Sequence, residues 1–290
     1  MQAIRAVRSV LAGLAFVALG TSAAWAQGSP AVVVTGGLDF TNQYNFRGIR
    51  QNTEGMSIWP YVDVGIPLFA GDGSLKAVTL NLGTWNAFNT QIDDFTNLDG
   101  EVTSNKWYES DLYATVGLGF GPSVLSFNYT SYTSPANLFN HVKEFGIKFA
   151  YDDSGPLGGA ALKPYALVAF ELSDEGQADA GASRGTYVEL GVAPGFAGSR
   201  ASVAFPIKVG LSASDYYEFG GAAPFTGDDS KFGYFSVAGI VTVPVGAHFN
   251  VHGGAELQTF GENLKIYNGF GDDGDSSVAG IASIGIGFSF

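Results

Sequence analysis

From Leu38 to Phe290 the chain repeatedly alternates apolar and polar side chains with a period of two. A strand puts successive side chains on opposite faces, so this pattern predicts sheet that separates two different environments. In the first candidate strand Leu38, Phe40, Tyr44 and Phe46 take one face, and Asp39, Thr41, Gln43, Asn45 and Arg47 take the other. In the second, Met56, Ile58, Val62, Val64, Ile66 and Leu68 oppose Ser57, Trp59, Tyr61 and Asp63. Tyr108, Leu112, Ala114, Val116, Leu118 and Phe120 oppose Glu109, Asp111, Tyr113 and Thr115. The same holds around Phe145 to Tyr151, Tyr187 to Val192 and Val203 to Leu211.

About twelve such segments follow one another, each near the ~9–11 residues with which a tilted strand crosses a bilayer. Compact connections at Ala70 to Gly73, Gly121-Pro122, Gly155 to Gly159, Gly195 to Gly198 and Val245-Gly246 alternate with longer polar ones. The largest run from Asn89 to Lys106, Ser212 to Lys231 and Gly261 to Ser277; only Arg50 to Gly55 breaks the pattern by being short. Tight turns at one end and long loops at the other is the layout of an outer-membrane barrel. The fold expected is therefore all-β, a transmembrane antiparallel β-barrel of about twelve strands, over residues 27–290. Two other architectures compete. A membrane helix over Phe232 to Ala255, which lacks Asp, Glu, Lys and Arg, is interrupted by Pro244, Gly246 and Gly253-Gly254. A periplasmic β-sandwich would explain the alternation but not the systematic long and short connections.

Residues 1–26 read as a cleaved signal peptide: Arg5 and Arg8, an apolar stretch from Val10 to Leu19, then Ala24-Trp25-Ala26, with a mature start at Gln27. The alternating terminus Ile284 to Phe290 resembles the C-terminal signal read by the barrel-assembly machinery, with Phe290 as its last residue. Both point to the outer membrane of a Gram-negative bacterium, with lipid and lipopolysaccharide as surroundings.

Composition sharpens this. Glycine occupies 41 of 290 positions, aromatics reach 14% and charged residues fall to 14%, where about a quarter is usual. Low charge and many aromatics suit an apolar exterior, with Tyr and Trp as candidates for interfacial belts. The formal net charge of −13 becomes −15 once Arg5 and Arg8 leave with the signal, which excludes nucleic acid as a partner. The absence of cysteine removes disulfides and thiolate chemistry.

With the apolar face outward, the lumen receives Asp39, Asp63, Glu109, Asp111, Glu144, Glu171, Glu189 and Glu256, together with Arg47, Lys148, Lys163, Lys208, His248 and His252. These charges either pair across a narrow barrel and plug it or line a solvated channel. Their acidic excess favours passive diffusion of small hydrophilic solutes with a weak cation preference. The long loops carry fifteen acids, among them Asp93, Asp94, Asp179, Glu218, Asp228, Asp229, Asp272, Asp273 and Asp275, against Lys106, Arg184, Lys231 and Lys265. Such a rim would concentrate cations at the mouth. The rival reading is a closed structural or surface-interaction barrel whose acidic loops bind a partner.

No cofactor or metal site is expected. Gly271 to Asp275 lacks the ligand order and closing Glu of a calcium loop. His248 and His252 share a strand face but lie about 13 Å apart, too far to chelate one ion. The Gly-x-Gly runs sit inside strands, so they do not open a helix for phosphate. Some outer-membrane barrels are lipid-modifying enzymes with Ser and His in close sequence. Here none of His141, His248 or His252 is followed two residues later by Ser, so no catalytic residue and no enzyme is expected.

One stretch goes beyond general barrel features. Tyr44-Asn45-Phe46-Arg47-Gly48-Ile49-Arg50-Gln51 resembles the N-terminal segment of the Gcw_chp family, the TorF-type porins of proteobacteria. Gly83-Thr84-Trp85-Asn86, Ser110-Asp111-Leu112-Tyr113, and Tyr129 to Tyr132 followed by Glu144-Phe145-Gly146 are similar to further segments of that family. The resemblance covers about the first half and implies an exported porin-like barrel with no catalytic residues. Arg47 would pair with lumen carboxylates or line a constriction, and Gly48 would permit a turn.

Overall fold

A computed structural model describes residues 31–52, 54–174, 176–220, 225–269 and 276–290. The expected signal and cleavage point lie outside these residues, as do Asp272, Asp273 and Asp275. Twelve antiparallel wall strands close on themselves. They are β1 (Val33–Thr41), β2 (Ser57–Ala70), β3 (Ala77–Asn89), β4 (Trp107–Phe120), β5 (Ser123–Thr133), β6 (Val142–Tyr151) and β7 (Tyr165–Glu171). Then come β8 (Thr186–Val192, resuming as Gly195–Ala197), β9 (Ser202–Ala204, resuming as Ile207–Ser214), β10 (Phe232–Val245), β11 (Phe249–Phe260) and β12 (Val278–Ser289). Each pairs with its neighbours in sequence, and β1 pairs with β12 from Thr35↔Ser289 to Thr41↔Ser283, which removes both sheet edges. The breaks in β8 and β9 fall at Pro194 and Pro206, which cannot donate to the ladder; instead Phe205 N–H bonds the Pro194 carbonyl.

Residues 232–255 form parts of β10 and β11, not a helix, and no helix among the described residues is long and apolar enough to cross a membrane. A single closed sheet also replaces the sandwich. The turn between β8 and β9 lies at Gly198–Ala201, three residues later than expected, because Gly195–Ala197 still pairs with Ala204–Ser202.

The outward face is apolar: Val62, Leu82, Leu112, Val116, Phe149, Leu190, Val241, Val251, Leu257, Ile284 and Ile286 are exposed. Tyrosine does not follow the expected belt. Eleven of the thirteen lie inside, with Tyr129 and Tyr151 on the outer face. Inward tyrosines lie across glycines directly opposite them in register: Tyr61 on Gly37, Tyr113 on Gly83, Tyr165 on Gly191 and Tyr234 on Gly210. A methyl at any of these glycines would collide with the ring. Glycine and tyrosine thus work as complementary halves of one packing device, in which a ring covers the strand that lacks a side chain.

Candidate functional site: a plugged lumen

The chief departure from the sequence reading concerns residues 42–56. The first strand stops at Thr41, and Tyr44–Phe46 and Ile49–Asn52 form a separate two-stranded hairpin. It folds into the long-loop half of the barrel. Tyr44, Phe46, Arg47 and Ile49 are at most 9% exposed, so Tyr44 and Phe46 do not face lipid. The connection expected to be short is therefore an inserted plug. Its tip is the two-residue loop Arg47-Gly48, where both residues have positive φ (49° and 84°), as a type I′ hairpin turn requires. Only Gly48 meets that demand without strain. A Cβ there would also lie 2.8 Å from Leu264 Cδ1.

Polar contacts fasten the plug to the wall. Arg47 donates to both oxygens of Glu144 on β6 (2.5 and 2.7 Å) and to the Tyr216 hydroxyl (2.8 Å). Its guanidinium sits 4.1 Å from the centre of the Tyr187 ring. Tyr44 donates to Glu109 (2.9 Å), Asn45 to Gln258 (3.1 Å), and Tyr108 to Gln51. From the loops, the Tyr217 hydroxyl donates to the Arg47 carbonyl and Asn268 to the Gly48 carbonyl, while Arg50 N–H donates to Asn268. Asn268 belongs to a helix over Glu262–Gly269. Tyr108 points inward because a bulge opposite Ala87 and Phe88 shifts the register of β4.

Depth separates two zones. Inward groups near the long loops are buried, among them Ser57, Trp59, Ala87, Glu109, Asp111, Tyr132, Glu144 and Gln258. Toward the short turns Asp63, Asn81, Tyr113, Lys148 and Asn250 are half-exposed. The interior is a cup, closed under the long loops and open at the short-turn end.

Most predicted lumen charges point inward but are paired. Asp39 bonds His252 Nε2 (2.6 Å), whose other nitrogen contacts Asn250 (2.8 Å). Glu256 faces Lys208 (3.7 Å). Glu189 accepts from the hydroxyls of Tyr165, Tyr187 and Tyr234 (2.6–2.9 Å), and Lys148 lies over the Tyr165 ring. Asp63 is held by Asn81 (2.6 Å). Asp111 is fully buried and pairs with Glu109, the two carboxyl groups sharing a hydrogen bond on one face of β4.

Several placements differ from the sequence reading. His248 lies in the exposed short turn before β11, where its ring stacks on Phe290, so it does not line the lumen. Lys163 likewise sits in the turn before β7 with φ +50°. Glu171 anchors a loop: its oxygens accept from Ala178 and Gly185 N–H (2.6 and 2.7 Å). The acidic rim is thinner than its composition. Asp94 and Asp228 are exposed and Asp93 half-exposed, but the Asp229 side chain is 8% exposed and binds Ser212, Tyr217 N–H and Lys231.

Asp179 and Glu218 are also internal. Asp179 accepts from Gly181, Glu218 and Phe219 N–H (2.8–3.1 Å), and Glu218 accepts from Ala182 and Ser183 N–H. They tie loop 172–185 to loop 215–231, the loop that carries Tyr216 and Tyr217. Burial raises the Asp179 carboxyl to about 6 and the Glu218 charge adds to this, against the pull of the three N–H groups.

No family model matches the chain, and no curated protein matches it. Solved barrels are similar in fold. The NanC porin is 9% identical, covering 89% of this chain and 99% of its own, with a TM-score of 0.45. An outer membrane channel from Pseudomonas putida F1 is 10% identical over 91% and 97%, at 0.49. Outer membrane phospholipase A from Escherichia coli is 9% identical over 88% and 95%, at 0.46.

Proposed function

We propose that this chain is a Gram-negative outer-membrane barrel, a porin of the Gcw_chp kind, that passes small hydrophilic solutes when the 44–52 hairpin leaves the lumen. In this reading the apolar face meets lipid, the long loops with their lipopolysaccharide surroundings lie outside, and the cup opens to the periplasm. The motif resemblance, the apolar belt and the division of long and short connections support it.

One observation carries the conduit over the closed barrel. Among the described residues the hairpin forms its own small sheet, and its main chain makes no hydrogen bond to the main chain of the wall strands. The wall stays complete without it, and its side-chain contacts can be exchanged for water. An inert core would be filled by side chains of the wall itself. The acidic excess among the inward charges would give a weak preference for cations.

Planar-bilayer recording of the refolded protein tests this. The native chain should show brief, rare openings, and a variant with residues 44–52 replaced by a Gly-Ser linker should conduct steadily, with a reversal potential displaced toward the cation value. Absence of discrete steps in both would refute the conduit and leave a closed surface barrel.

A further inference from the structure

Strand pairing brings together two residues ten apart in sequence on the outer face. Ser131, on the outward side of β5, and His141, just before β6, meet with Oγ and Nε2 2.7 Å apart. Lys143 lies directly opposite Ser131 in register, and therefore beside it on the same face. The surroundings are those of a lipid-facing wall: Leu112, Ser131's partner on β4, is 64% exposed, and Tyr129 is 41% exposed. The main chain at His141 is fixed from behind. Gly176 of loop 172–185 packs against the His141 carbonyl at a position where a Cβ would collide, and Leu172 N–H bonds the Lys143 carbonyl.

We propose that Ser131 and His141 form a nucleophile–base pair on the outside of the barrel, near its long-loop end, that hydrolyses acyl esters of anionic lipids. Partial burial and the neighbouring Lys143 hold the His141 imidazole below its ordinary value, so the ring is neutral and able to accept a proton at neutral pH. With the ring proton on Nδ1, the Ser131 hydroxyl donates to Nε2, the arrangement that activates a serine.

In the first half-reaction Ser131 Oγ bonds to the ester carbonyl carbon as its proton passes to Nε2. The bond from carbon to the alcohol oxygen then breaks, and that oxygen takes the proton from Nε2. Water, supplied at headgroup level, gives a proton to Nε2 and its hydroxyl to the acyl carbon; the carboxylic acid departs and Ser131 recovers its proton. The sum is ester plus water giving alcohol plus carboxylic acid. The Lys143 ammonium is placed to attract a lipid phosphate and to stabilise negative charge on the carbonyl oxygen. The lipid assignment rests on the reading that this face meets the membrane. The pair itself does not, since a water-soluble probe reaches it in detergent.

The test uses the full-length refolded protein. A fluorophosphonate probe in detergent should label the native chain and leave Ser131→Ala unlabelled, with His141→Gln slowed about 100-fold. Mixed micelles of an anionic phospholipid should release fatty acid with the native chain and not with Ser131→Ala. Gel mobility with and without boiling, together with bilayer conductance, should be the same for native protein and Ser131→Ala, showing an intact barrel. No labelling of the native chain, or equal labelling of either variant, would overturn the pair. Labelling at Ser131 without fatty-acid release would overturn the lipid substrate.

Discussion

Arg47 and Glu144 form a two-pronged ion pair between the tip of an inserted hairpin and wall strand β6, at 2.5 and 2.7 Å with both side chains at most 7% exposed. Removing one partner of a buried pair leaves an uncompensated charge, at a cost of about 3–5 kcal/mol if nothing moves. Here the hairpin can move, because the wall does not depend on it. Arg47→Ala and Glu144→Gln should therefore raise the open probability in bilayer recordings about tenfold or more while the barrel stays folded on gels. Native-like closure in both variants would mean that the remaining contacts hold the plug unaided.

Asp111 acts in the opposite direction. Two acidic side chains buried together, Asp111 and Glu109, penalise the closed state, in which the plug shields them from water. Asp111→Asn removes one acid of this buried pair at almost constant size, so it should lengthen closed times and lower open probability several-fold. A rise in open probability would show that the carboxylate supports closure.

The wall was legible in the sequence because a period of two is local: β2, β4 and β6 fall where their alternation places them. The exception is instructive. Tyr44 to Arg47 alternate as well as any wall strand, but as half of a hairpin turned inside the barrel, and local periodicity carries no information about which sheet a strand joins. The missing part lies in pairings between distant segments. Gly83 lies opposite Tyr113, Trp85 opposite Asp111, and Thr130 opposite Glu144, so segments far apart in sequence converge beneath Arg47. Pairing of charges inside the lumen was also beyond reach, since Asp39 and His252 are 213 residues apart and meet only when β12 closes the ring. The Ser131 and His141 contact is hidden in the sequence for the same reason: the two lie ten residues apart, and strand pairing makes them neighbours.

The facing of glycine by tyrosine predicts coupled stability effects. Gly210→Ala places a methyl against the Tyr234 ring and should destabilise the barrel by about 1–3 kcal/mol, the usual range for overpacking. Tyr234→Phe removes hydrogen bonds to Glu189 and Tyr187 but keeps the ring, so it should not relieve the clash; Tyr234→Ala should. Urea unfolding in lipid vesicles should then give Gly210→Ala/Tyr234→Ala a loss smaller than the sum of the single variants. Additive losses would show that the two residues do not meet.

The loop clamp should make opening depend on pH. The Asp179 carboxyl titrates near 6 in the folded protein, above the ordinary 3.8, so the docked loops bind the proton more tightly than released loops do. Its contribution to docking is fully present below about pH 4 and is lost as pH rises through 6. Once Asp179 ionises beside Glu218, loop 215–231 loosens, and with it Tyr216 and Tyr217, which hold the Arg47 side chain and carbonyl. Open probability should thus be lowest near pH 4–5 and rise with a midpoint near 6. Asp179→Asn can still accept N–H bonds from loop 215–231 but cannot ionise, so it should stay closed and lose that midpoint between pH 5 and 8. A rise through pH 6 that persists in Asp179→Asn would place the titrating group elsewhere.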